Sequence, residues 1–317
     1  MDWQSVLAPA GPQASNIARL SWFAFVVATL VYVLTIGALF VALRAAHGRA
    51  RRGEPLASDS EGRMTRGVTW ALAATIVTLL VFFGYDLSIG RTLSTQPGAH
   101  PLTIEVTGRQ WWWEVQYADT SAHGRFTTAN EIHVPVGQPV LFLLSASDVI
   151  HSLWVPNLGG KKDLIPGYTQ SVWFQADTPG VYRGQCAEFC GLQHAKMGLF
   201  IVAEPRAQYD HWVAQQREPG QTPADSAQRR GRDVFMTNTC AMCHAIEGTE
   251  AGSHNGPDLT HLASRRTIAA GTLPNTRGNL AGWIVDPQGI KPGSRMPPNM
   301  LAPKDLDALL TYLQSLK

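Results

Sequence analysis

What the chain is short of narrows it first. Only 16% of its 317 residues are charged, and 26 Lys and Arg against 24 Asp and Glu leave a net +2. So even a balance excludes a protein whose main work is neutralising nucleic-acid phosphates. With 45% hydrophobic residues, disorder is excluded as the main state. Cysteine is scarcer still: four residues in a chain of this length cannot make a disulfide scaffold, where cysteine is far denser. They fall in two local pairs, Cys186 with Cys190 and Cys240 with Cys243. Bridging either pair would close a tiny strained loop for little entropic gain. The question is therefore whether four thiols make two metal or cofactor sites.

Two long apolar runs are present. Trp22 to Leu43 and Val68 to Tyr85 contain no charged residue. A 20-residue helix crosses a hydrocarbon core of roughly 30 Å, so the runs predict transmembrane helices over about 21–43 and 68–87. The loop between them carries Arg44, Arg49, Arg51, Arg52, Arg63 and Arg66 against Glu54, Asp59 and Glu61. Short basic loops stay cytoplasmic, which predicts a hairpin with both termini on the outer side, in the periplasm or its equivalent. The tail before the first run has no apolar core of its own, so no cleaved signal peptide is expected.

From Leu102 to about Glu204 the pattern changes to short β-rich segments, among them LTIEVTGRQWWWEVQY, EIHVPVGQPVLFLLSAS and MGLFIVAE, with turns at Pro135–Gly137, Pro166–Gly167 and Pro179–Gly180. That pattern predicts a small Greek-key sandwich. On it sit His151 and the run C-A-E-F-C-G-L-Q-H-A-K-M, which contains Cys186, Glu188, Cys190, His194 and Met197. Thiolates, imidazoles and a thioether are the soft and borderline ligands copper prefers. Two cysteines four apart suit two coppers bridged by both sulfurs. Zinc favours a closed tetrahedral set and has no use for Met197.

This segment resembles subunit II of the haem–copper cytochrome c oxidases over roughly residues 15–205. The resemblance rests on D-V-I-H-S-L-W-V-P, K-K-D-L-I-P-G and C-x-E-x-C-x-x-x-H-x-x-M. It implies a cupredoxin domain holding the dinuclear copper centre CuA. Cys186 and Cys190 would bridge the coppers, His151 and His194 would cap one each, and Met197 with the Glu188 carbonyl would complete the set. It further implies a magnesium shared with subunit I through the Glu188 carboxylate, with Asp163 nearby. Of Trp111 to Trp113, at least one is expected to pack inside the sandwich. The resemblance makes Trp111 an exposed residue where electrons arrive above the copper. One departure concerns proton uptake: where the family often has a glutamate three residues before the tryptophan of the second helix, this chain has Gly67 before Trp70, with Glu61 the nearest acid upstream.

Residues 206–226 read as a polar Pro/Gly linker. Beyond it a short helix over Ala227–Phe235 leads into Cys240-Ala-Met-Cys243-His244. C-x-x-C-H is the covalent haem c attachment signature, with His244 as proximal ligand. No second C-x-x-C or H-x-x-x-H pair follows to complete a zinc site. Met296, in K-P-G-S-R-M-P-P, is the expected distal ligand, ahead of Met300, His254 and His261. A thioether ligand raises the haem potential, as the high-potential end of an electron chain requires. An amphipathic helix over Pro303–Leu316 closes the domain. With G-P-D-L at Gly256–Leu259 and with Trp283, this tail resembles class I cytochrome c.

The whole reads as a multidomain membrane protein. Residues 1–95 form the tail and helical hairpin, 96–205 the all-β CuA cupredoxin domain, 206–226 the linker, and 227–317 the all-α cytochrome c domain. The resemblance implies subunit II of a terminal oxidase in a bacterial inner membrane. Electrons from a cytochrome c or a bc-type complex would pass through haem c and CuA to subunit I, where O₂ is reduced with proton translocation. Subunit III is a further expected partner, and nucleic acid is not. The rival readings are a CuA-type nitric oxide reductase subunit and a stand-alone membrane-tethered electron carrier; a copper-free quinol oxidase subunit would not need the full ligand set. Residues 100–217 carry eight basic and ten acidic groups, a weak face for a basic soluble donor. A tethered cytochrome makes such steering unnecessary.

Overall fold

In the computed structural model, which describes residues 4–53, 61–95, 101–117 and 124–317, the chain divides into two units, Ser15–Thr95 and Met1–Ala14 with Gln96–Lys317. The first unit is a pair of helices, α1 (Pro12–Arg51, its first turn counted with the other unit) and α2 (Glu61–Ser94). Their 40 and 34 residues make rods of about 60 and 51 Å, so each expected span lies inside a longer helix. The hydroxyls that fall within the apolar runs return to the main chain: Thr35 donates to the Val31 carbonyl, Thr75 to Ala71 and Thr78 to Ala74. This leaves those hydroxyls satisfied where no water is at hand. Phe23 stacks on Phe82 at 6.1 Å and meets Tyr85 edge-on, joining the helices. None of the most apolar stretch of either helix is buried. An apolar surface of that extent belongs in lipid. Glu54 and Asp59, named above in the connecting loop, lie outside the described residues.

The second unit begins with ten strands: β1 (Leu102–Arg109), β2 (Trp112–Tyr117), β3 (Phe126–Ala129), β4 (Glu131–Pro135), β5 (Val140–Ala146), β6 (His151–Trp154), β7 (Lys162–Leu164), β8 (Gln170–Phe174), β9 (Gly180–Cys186) and β10 (Gly198–Glu204). They make two five-stranded sheets, ordered β3-β2-β1-β5-β8 and β4-β10-β9-β6-β7. Both sheets are mixed, with β1 parallel to β5 and β4 parallel to β10. Alternation along β1 and β5 sends Ile104, Val106, Val140, Phe142 and Leu144 inward. There they meet Trp113, Leu153, Leu164 and Leu199 in one core. The N-terminal tail fastens onto this sandwich: the Ala10 N–H donates to the Asn157 carbonyl and the Asn157 amide to Ala8. At Gly11 a Cβ would lie 2.0 Å from the Gln175 carbonyl oxygen, so only glycine fits.

The stretch expected to be linker is half helix. Arg206–Gln216 forms α3, with Tyr209 buried. Trp212 stacks on His133 at 4.0 Å and 5° and presents its edge to Tyr117 and Phe126. The aromatic pair three residues apart holds this segment against the sandwich in spite of its polar neighbours. Beyond it come α4 (Ser226–Thr237), a 3₁₀ turn at Thr239–Met242, a two-residue ribbon of β11 (Thr267–Ile268) and β12 (Leu273–Pro274), then α5 (Arg277–Val285), α6 (Pro287–Ile290) and α7 (Pro303–Leu313). Side chains cap the helix starts, Asp225 accepting from the Gln228 N–H and Thr276 from Asn279. Helices α4 and α7 cross where Gly231 faces Ala308. A Cβ there would lie 2.1 Å from the Ala308 carbonyl oxygen. Phe235, Ile246, Ile284, Leu309, Tyr312 and Leu316 form a second core.

Candidate functional site

The sandwich's two ends of chain chemistry meet at one corner. His151 opens β6 and Cys186 ends β9, and the pairing of these strands brings their ends together. The loop after Cys186 carries Cys190, a 3₁₀ turn at His194–Lys196, and Met197. It is closed by the Cys186 N–H donating to the Met197 carbonyl at 3.0 Å. Gly191 has φ +109°, and a Cβ there would press on Gln110 and the Trp111 ring at 3.1 Å. A side chain would cost both backbone strain and a clash. Gly108 plays the same part under His151, whose ring would stand 2.7 Å from its Cβ.

Every sulfur and imidazole expected of the copper set converges there. The Cys186 and Cys190 sulfurs are 3.7 Å apart. His151 Nδ1 is 3.9 Å from Cys186 Sγ, and His194 Nδ1 is 3.6 Å from Cys190 Sγ. Met197 Sδ lies 3.8 Å from Cys190 Sγ, and the Glu188 carbonyl 3.2 Å from Cys186 Sγ. His151, Cys186 and Cys190 are buried, with ligand atoms within 4.8 Å of one another. The Cys186 thiol is pushed down to about 3, by Cys190 first and with His151 adding to it against the effect of burial. Cys190 is pushed up by Cys186 and by burial. Two soft sulfurs sharing one proton, flanked by two imidazoles and a thioether, suit a pair of soft metal ions. Asp148 Oδ1 takes His151 Nε2 at 2.9 Å, which turns Nδ1 toward the sulfurs. Asp148 was not singled out by the sequence reading, although it stands three residues before His151.

Trp111 differs from the expectation of an exposed residue: it is 9% exposed. Its indole N–H donates to the Cys190 carbonyl at 2.9 Å. Its own carbonyl accepts from the Lys291 ammonium at 2.9 Å, and Gly293 lies against its ring. The physical reason is the C-terminal domain, which covers the face that a lone sandwich would leave open. Trp113 is the expected core residue, and Trp112 is half-buried beneath the Arg109 guanidinium. The Glu188 carboxylate lies 3.9 Å from Lys161. Among the described residues no third His, Cys or carboxylate gathers with Glu188 and Asp163.

In the C-terminal domain the 3₁₀ turn presents Cys240 and Cys243, and the His244 N–H returns to the Cys240 carbonyl. His244 Nδ1 lies 2.7 Å from the Pro257 carbonyl. Donation there fixes the tautomer and leaves the Nε2 lone pair free for iron. Burial lowers the His244 pKa, favouring the neutral ring a metal needs. A Cβ at Gly256 would lie 2.7 Å from that ring. Cys240, Leu259, Trp283 and Met296 all pack against the second core, a donor set and apolar wall that fit a haem. Of the other distal candidates, His261 has a carbonyl against each ring nitrogen, His254 stands exposed beside Glu114, and Met300 is 99% exposed.

The sequence reading missed the seam between the two domains. The Gln193 amide donates to the Pro292 carbonyl, the Gly198 N–H to Ala270, and the Arg266 N–H to Glu131. Arg295 reaches Asp148 at 3.3 Å. Ala269, Ala270 and Gly271 run through three successive left-handed residues. Two of those are non-glycine, a conformation that costs roughly 1–2 kcal/mol each, and the Ala270 carbonyl meets the sandwich through the Gly198 N–H. The positive φ of Gly271 could be anticipated from the G-T turn; the alanines carry no such signal.

Sequence similarity to known proteins covers nearly the whole chain. The family model "Cytochrome C oxidase subunit II, periplasmic domain" matches residues 121–204, and "Cytochrome c" matches residues 228–317. Cytochrome c oxidase subunit 2 of Alkalihalophilus pseudofirmus is 36% identical over 319 residues, covering 99% of this chain and 91% of its own. That of Bacillus sp. (strain PS3) is 31% identical, covering 85% of this chain and 80% of its own. The crystal structure of the periplasmic domain of subunit II of cytochrome oxidase of Bradyrhizobium japonicum is 33% identical, covering 39% of this chain and 97% of its own with a TM-score of 0.36.

Proposed function

Given that the chain belongs to the cytochrome c oxidase subunit 2 family and carries a cytochrome c domain, we propose that it is the electron-input arm of a terminal oxidase. It is a membrane protein and a subunit of a haem–copper oxidase, an oxidoreductase complex built around subunit I. Its two domain families imply CuA copper and a haem. Bound there, these groups supply one-electron carriers that link an external donor to subunit I, where O₂ is reduced and protons are moved.

The chain's own residues divide that work. Cys186 and Cys190 would hold the copper pair through their sulfurs, with His151 and His194 supplying imidazoles and Met197 and the Glu188 carbonyl the remaining donors. Cys240 and Cys243 would hold the haem covalently, with His244 and Met296 as its iron ligands. Asp148 orients His151. Trp111 joins the Cys190 carbonyl to the C-terminal domain, and would link that domain to the copper loop for electron passage. The Glu188 carboxylate would help hold a magnesium at the contact with subunit I, with Asp163 near it. The redox domains lie on the periplasmic side of a bacterial inner membrane, with a cytochrome c or a bc-type complex as donor and subunit III as a further partner.

The convergence of two thiols, two imidazoles and a thioether on one buried corner is the observation that carries the reading. Metal and haem analysis of the purified complex tests it. Two coppers and one haem c per chain are expected, and Cys186→Ser is expected to lose copper while keeping haem. One copper per chain would sink the dinuclear assignment.

A further inference from the structure

We propose that Lys291 is the pin that seats the C-terminal domain over Trp111 and the copper loop, a positioning residue for electron passage between the two domains. Lys291 is 3% exposed. Its ammonium donates to the Trp111 carbonyl at 2.9 Å, the Lys196 carbonyl at 2.8 Å and the Ala269 carbonyl at 3.3 Å. Its three donors thus meet three main-chain acceptors, two of them on the sandwich. Burying an ammonium costs several kcal/mol unless its hydrogen bonds are made. A methionine of similar length would fill the space without that cost, so the acceptors specify the cation.

The points of attachment explain what the pin does. Trp111 donates from its indole to the Cys190 carbonyl, and Lys196 immediately precedes Met197. One side chain therefore grips the copper loop on both flanks. On its own domain it stands five residues before Met296. The other two cationic side chains of the seam are exposed to solvent. Lys196 reaches the Ile290 carbonyl, but its side chain is exposed. Arg295 reaches Asp148 with 64% of its side chain exposed. Exposed ion pairs contribute little and fade with salt. Lys291 is screened by neither water nor salt.

The inference rests on the two-carrier reading above. The passage itself moves one electron, lost by the C-terminal carrier and gained by the copper loop, with no bond made and no proton required. The test uses the assembled oxidase carrying Lys291→Met, and Lys291→Gln as a milder variant should the first fail to accumulate with its haem. Amide exchange across residues 190–198 and 266–274 reports seating directly, because the Gly198 N–H is bonded to Ala270 across the seam. Exchange there is expected to rise by about tenfold. After flash reduction of the C-terminal domain by a small photo-reductant, its own reduction rate is expected to stay unchanged, while onward transfer slows by about tenfold or more as alignment is lost. Exchange and transfer both within twofold of the unaltered complex would overturn the proposal, and so would faster exchange with undiminished transfer. Absence of copper or haem from the unaltered complex would instead defeat the two-carrier reading.

Discussion

Single residues decide more here than their number suggests, and His133 shows how. Its ring lies between Glu131 at 3.1 Å and Glu204 at 3.3 Å, with Trp212 stacked on its face. Burial alone would lower its pKa, but the hydrogen bond to Glu131 and the second carboxylate of Glu204 beside its ring outweigh burial and leave it raised. Because the folded value lies above the unfolded one, the stabilisation is full below about pH 6.5 and is lost as pH rises through the folded value. The Tm advantage of the natural chain over His133→Gln is therefore expected to shrink as pH rises from 6 to 9. Thermal unfolding of the purified complex across that range checks it, and a gap that widens with pH would contradict it. The residues proposed to hold copper were legible in the sequence because their chemistry and spacing are local to one loop, apart from His151. His133 was not, since nothing in E-I-H-V-P says that Glu204, on a parallel neighbouring strand, completes the pair.

Elements were legible where one periodicity governs them. The apolar runs predicted both membrane helices, and β-rich segments between Pro/Gly turns predicted the sandwich. Strand order was not legible, because parallel pairing of β1 with β5 depends on contacts far apart in the chain. Helix α3 was missed for a related reason. Its polar composition matches a linker, and what makes it helical is the sandwich surface that receives Tyr209 and Trp212. The crossing of α4 and α7 gives a sharper test. In an isolated helix Gly231→Ala would gain about 1 kcal/mol. Here the new Cβ meets the Ala308 carbonyl, and overpacking costs about 1–3 kcal/mol or more when the obstacle is backbone. The substitution is expected to lower the Tm of the C-terminal domain, read from the shift of its haem spectrum as ligation changes on heating. An unchanged or higher Tm would show that the helices part freely.

At the scale of the whole molecule, the sequence named a hairpin, a sandwich and a C-terminal domain but not that the last two are fastened together. A seam has no periodicity, and its residues are drawn from Trp111, Gln193–Gly198, Arg266–Ala270 and Ile290–Arg295. The near-even charge of the sandwich segment now has a structural counterpart. Its Trp111 face is covered by the chain's own C-terminal domain, so no charged field is needed to recruit a partner there.

The seam is written largely in main-chain atoms: the carbonyls of Trp111, Lys196, Ala269, Ala270, Ile290 and Pro292 all accept across or along it. Carbonyls are common to every residue type, so most of these positions can drift in identity without loosening the join. What they cannot tolerate is a change in length. A single alanine inserted after Gly191 or after Gly293 would displace acceptors by about 3.8 Å along the chain, beyond hydrogen-bond reach. Side-chain exchanges at Pro292 or Ala270 would leave every acceptor in place. In a mutational library scored for assembled, copper-loaded complex, insertions at these two glycines are expected to be depleted far more strongly than substitutions at those neighbours. Equal depletion would mean that the side chains at Pro292 and Ala270 also carry the join. Lineages of such fused chains would then be free to change the letters of the seam while keeping its count.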